Sequence, residues 1–217
     1  ANLNYAGDFV KPMSLTKNGT NRLALAGYNL FNGTLTVNGG ELAFTGNSTN
    51  AIGTVYLNGT SSLVLSNTTA QFVNITSNNS AYIGNNSADF GRMTVAGNAS
   101  WGGYLYPYNV SQSTLVIGQN GRGILTIQDS ATVTQRLVVG NNGGSAGAVY
   151  QNGGIMHNWG GSASDPHLGG SGYGYYELNS GTFTNNGWTQ VGQALTGVGI
   201  LRVNNGAFKM GSVYSGQ

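Results

Sequence analysis

The chain has 217 residues, of which 6% are charged, against about 25% in a typical soluble domain, and 37 are glycine. Eight scattered basic residues against six acidic ones give a net charge of +2 and no run of positive charge, so nucleic acid is not an expected partner. There is no cysteine, which excludes disulfides and thiolate metal sites, and no apolar run of about 20 residues that would span a bilayer as a helix.

Short alternating apolar runs begin early and predict strands at 23–26, 33–37, 41–44, 54–57, 62–65, 72–75 and 93–95. Asn-Gly, Gly-Gly and Asn-Ser pairs punctuate them, which supplies the positive-φ corners that such strands need. Gly and Asn are poor helix formers, and no apolar spacing of three and four persists, so the expected class is all-β.

Further along, a Leu, Ile or Val followed by Gly opens five similar units: Ile83-Gly84, Ile117-Gly118, Val139-Gly140, Leu168-Gly169 and Val191-Gly192. Each leads through a loop of small or polar residues into another apolar run, as in Leu115-Val116-Ile117-Gly118 to Ile124-Leu125-Thr126-Ile127. A unit this small cannot bury its own apolar face and must stack on its neighbours, which predicts a solenoid forming one domain over 1–217. At about 4.8 Å per turn, nine or ten turns would make a body of about 45 Å. The anchor glycines are unevenly spaced, and the wider intervals after Gly84 and Gly140 predict enlarged loops near 101–110 and 155–167.

The early segment 15–44 reads Leu15-Thr16-Lys17-Asn18-Gly19, then Leu23-Ala24-Leu25-Ala26-Gly27, then Thr36-Val37-Asn38-Gly39-Gly40-Glu41-Leu42. It resembles the passenger-associated repeat of bacterial autotransporters, and the Val-Gly units of 82–210 look like looser passenger repeats. The resemblance implies a right-handed parallel β-helix displayed on the surface of a Gram-negative cell, or secreted from it, as a fragment of a longer passenger. It also implies an outer-membrane barrel in the parent protein; no run of barrel strands ends this sequence. The amino end, Ala1-Asn2-Leu3-Asn4, reads as that of a mature or excised segment.

The six carboxylates, Asp8, Glu41, Asp89, Asp129, Asp165 and Glu177, fall in separate units, and no nucleophile elbow or phosphate loop occurs, so no catalytic, cofactor or metal residue is assigned. Two segments are candidates for ligand contact. One holds His157, Asn158, Trp159, Asp165 and His167, with one aromatic face and several hydrogen-bonding groups. The other holds Trp101, Tyr104, Tyr106 and Tyr108, whose rings would either stack on sugars or fill a widened turn. The expected function is a non-enzymatic adhesin or self-association module, of the kind that supports aggregation and biofilm, whose partner is a host or matrix glycan or protein, or another copy of itself. A structural stalk and a hydrolase using the 155–167 loop are the alternatives.

Overall fold

The computed structural model describes residues 3–5, 13–47, 49–72, 80–104, 113–158, 165–185 and 187–210. Among them are twenty strands and no helix, and the strands join in one continuous sheet. Each strand pairs in parallel with the strand one turn away, which makes the body a parallel β-helix. The first turn shows the plan: β2 (Leu15–Lys17) forms one face, β3 (Arg22–Leu25) a second, and the start of β4 (Asn29–Val37) a third.

Register is set by apolar columns, because side chains alternate between interior and solvent and a one-residue slip would turn every apolar group outward. On the first face the inward column is Lys17, Val37, Leu57, Ile83, Ile117, Val139, Leu168 and Val191. Its eight members count eight complete turns. β1 (Leu3–Tyr5) adds one strand of a further turn beside β3. Eight turns at about 4.8 Å span about 38 Å, slightly less than the sequence suggests.

The second face contributes Leu23, Leu42, Leu63, Met93, Leu125, Val149, Tyr176 and Leu201 to the interior. The third contributes Ala70, Trp101, Val133, Met156, Phe183 and Phe208. Most of these are fully buried, at about 1.5–3 kcal/mol for each large side chain, so the three columns are the main source of cohesion. Several polar groups in the interior pair with one another. Asn29 donates to Asn50 and Asn50 to Thr68, while the Tyr176 hydroxyl donates to Gln151 Oε1 at 2.6 Å. Burial pushes that hydroxyl well above the usual tyrosine range, so it remains a donor.

All five anchor glycines stand immediately after the first-face column, and all have positive φ, between 66° and 76°. The N–H of Gly118 donates to the Ile83 carbonyl one turn back, and Gly140, Gly169 and Gly192 repeat the bond at 2.7–2.8 Å. A second glycine column faces them across the corner: Gly91, Gly123, Gly147, Gly174 and Gly199. A Cβ on Gly123 would lie 2.6 Å from both the Gly118 nitrogen and the Ile83 oxygen, so this corner closes only without side chains.

From residue 84 onward the corners between first and second faces alternate in length. Residues 84–89, 140–145 and 192–197 form six-residue corners, while 118–121 and 169–172 form four-residue corners. The six-residue corners each carry an internal turn, in which the N–H groups of Asp89, Ser145 and Gly197 donate three residues back. The four-residue corners nest on the preceding anchor, since Gly121 donates to Gly84 and Gly172 to Gly140.

Candidate functional site

The third-face strands place the first group of candidate residues. β11 (Ser100–Tyr104) turns Trp101 inward, where it is fully buried and its indole N–H donates to Gln135 Oε1 at 2.8 Å. Trp101 therefore fills the widened turn and presents no ring to a ligand, a correction to its place among the ligand-contact residues. The backbone of Tyr104 pairs with Phe72, and Tyr106 and Tyr108 lie outside the described residues.

β15 (Ala146–Asn158) carries the second group further into regular structure than its loop-like sequence implies. Residues 155–158 are strand, so the enlarged loop does not begin at 155. Asn158 is fully buried: its Oδ1 accepts the Leu137 N–H and its amide donates to Asn185, both at 2.9 Å. It joins turns of the helix and is withdrawn from the contact surface, a second correction. His157 faces outward between Thr134 and Thr184 in its column, with Nδ1 2.5 Å from the Thr184 hydroxyl. Burial lowers its pKa.

Trp159 lies outside the described residues. Asp165 is buried, and its carboxylate accepts the Trp188 N–H at 2.8 Å, which fixes the next corner. His167 sits on the first face with Nε2 3.5 Å from Arg136 Nη2. Burial lowers its pKa first and the Arg136 charge second, against an opposing contribution from Asp165. Burial likewise lowers the pKa of Arg136, opposed by Asp165. Arg136, Asp165 and His167 thus form one polar cluster, whereas His157 belongs to a different face. No group of three or more His, Cys, Asp or Glu able to hold a metal ion occurs among the described residues.

The outer surface is organised by ladders of amides at the corners. Asn38 donates to Asn18 at 2.8 Å and Asn58 to Asn38 at 3.0 Å. Asn142 donates to Asn120 at 2.7 Å and Asn141 to Gln119 at 2.8 Å. A third ladder runs through Asn204, Asn179 and Asn152. Near it the Tyr175 hydroxyl donates to Glu177 at 2.7 Å, which raises the tyrosine pKa, and Arg202 lies 3.8 Å from the same carboxylate.

A different constellation emerges on the second face, from residues with no linear proximity. The register stacks Arg22, Glu41, Ser62 and Arg92 in one outward column, and brings Arg122 beside Phe90. The Arg92 guanidinium lies 3.9 Å above the Phe90 ring centre and that of Arg122 lies 5.3 Å from it. Arg22 pairs with Glu41 at 2.7 Å. One signal for this gathering exists in the sequence: Arg22 and Arg92 each stand one residue before an inward member of the same column, Leu23 and Met93. Aligning those two strands puts both arginines on one line.

Comparison with known protein families, with curated proteins and with solved structures finds no match.

Proposed function

We propose that the chain is a passenger segment of an autotransporter-like protein displayed outside the cell, and that it is a non-enzymatic adhesin or self-association module. The observation that carries this reading is the set of amide ladders, Asn18–Asn38–Asn58 and its counterparts, each of which repeats one hydrogen-bonding group over two or three successive turns. A partner surface with a similar period meets many weak donors and acceptors at once, and their contributions combine through multivalency without a deep pocket. The passenger assignment draws its support from the motifs of 15–44 and from the β-helix into which they fold.

The test is display of the chain on a cell surface beside an empty display scaffold. Faster settling of displaying cells, or their retention on matrix glycans or proteins, is the expected result. Equal settling and equal retention would overturn the reading.

A further inference from the structure

We infer that the second face carries a binding groove for an acidic polysaccharide, one bearing carboxylate or sulfate groups. This deepens the reading of the chain as a surface-binding module, and rests on it, by naming a ligand class and a place. The groove is shallow and open, with a volume of about 430 Å³, and lies between the corner at Thr20–Asn21 and Arg92. It crosses the turns, so its long direction follows the helix axis.

Three properties define the ligand. The first is charge: Arg22, Arg92 and Arg122 are three of the five arginines in the whole chain, and all lie on this face. Glu41 occupies Arg22, but Arg92 and Arg122 rest on the Phe90 ring with no ion pair between either and a carboxylate among the described residues. A ring face holds a guanidinium in place while leaving its N–H groups available, and a planar fork of donors suits carboxylate and sulfate oxygens. The neighbouring Asp89 does not cancel this charge by reaching into the groove. Its carboxylate is taken up by the N–H groups of Gly59 and Asn86 and the Asn86 amide.

The second property is the lining. Hydroxyls and an amide from Thr20, Asn21, Thr60 and Ser62 border the groove, and these pair with sugar hydroxyls. Ser61, 2% exposed at its edge, has a hydroxyl with no hydrogen-bond partner. The lining includes no large apolar side chain that would receive one from a peptide. The third property is the period. Turns recur at about 4.8 Å, close to the length of one pyranose in an extended polysaccharide, so successive sugars meet successive turns. Arg22 and Arg92 stand three turns apart, about 14 Å, which suits a chain with charges at intervals and not a single small anion.

The experiment titrates the full 217-residue chain with oligogalacturonate, dextran sulfate, neutral dextran and polyglutamate of similar length. Binding of either acidic polysaccharide, weakened by added salt, with none to neutral dextran, is expected. Arg92→Gln and Arg122→Gln should each raise Kd about tenfold, while Glu41→Gln, which frees Arg22, should lower it. Lys209→Gln, on the third face, should leave Kd unchanged, and circular dichroism checks that each variant is folded. Equal affinity in the arginine variants overturns the groove, and equal affinity for polyglutamate overturns the sugar assignment. Settling without polysaccharide binding refutes only the groove; binding without settling or retention refutes only the adhesin reading.

Discussion

The turns before residue 72 and those after residue 80 build the same corner from different residues. In the early turns the position after the first-face column is asparagine, at Asn18, Asn38 and Asn58, and in the later turns it is glycine, from Gly84 to Gly192. The backbone bond is shared: Asn38 donates to Lys17 and Asn58 to Val37 at 2.9 Å, as Gly118 does to Ile83. Where the corner has two residues, as at 38–39 and 58–59, an asparagine side chain reaches its counterpart one turn away and reinforces the stack. In the later turns, where it has four or six, the chain doubles back against the next strand, and two glycines face each other there. The early corner is held by side chains and the later corner by their absence.

The strongest way to break this comparison is a methyl group. Gly123→Ala should destabilise by about 3 kcal/mol or more, because the Cβ meets backbone on two sides. Ser61→Ala, at the equivalent position of an early turn, should be neutral or slightly stabilising, since it removes a hydroxyl without a partner. Denaturant unfolding of both variants checks the pair, and similar losses would show that the corners are alike after all.

The interior polar pair gives the next effect. Tyr176→Phe leaves Gln151 Oε1 without that donor and should cost about 1–3 kcal/mol, while Gln151→Leu should cost more, because its amide also donates to the carbonyls of Gly153, Gly154 and Thr182. Denaturant unfolding of the two variants measures the difference. Asn38→Ala, which removes the middle of the first amide ladder, should cost about 1 kcal/mol by the same measurement, and the exposed Gly143→Ala in a later corner less than that.

The smallest effect is that of pH. Folding lowers the pKa of both His157 and His167 below the ordinary value of 6.5, so the unfolded chain binds their protons more tightly. Their contribution is therefore fully present above pH 6.5 and is lost as pH falls through the folded values. Tm should decline across that window. His167→Gln should reduce the slope, and an unchanged slope would place the proton uptake elsewhere.

Strand alternation and the Gly anchors were readable because each follows from a local rule: an apolar residue every second position, and a glycine where φ is positive. The identity of the two corner types was not, because Asn38 and Gly118 resemble each other only in what their backbones do. Trp101 reads from sequence either as a sugar-stacking ring or as the filling of a widened turn, and its place between Ser100 and Gly102 on the inward side of a strand decides for the second. Gln151 and Tyr176 find each other only through register, one turn apart. The arginines of the second face, Arg22, Arg92 and Arg122, are separated by up to 100 residues in sequence, and no short window along the chain contains them all.

The alternating corner lengths bear on how such a chain can be shortened or extended. A six-residue corner is followed by a four-residue one that nests on it, so the interchangeable module in the later half is a pair of turns. Excising 118–168 would join Ile117 to Gly169 and leave a short corner seated on a long one, as before. Excising the single turn 118–139 would set two long corners against each other, 84–89 and 140–145, with no nest between them. Duplication and loss in this half of the molecule should therefore be tolerated in even numbers of turns.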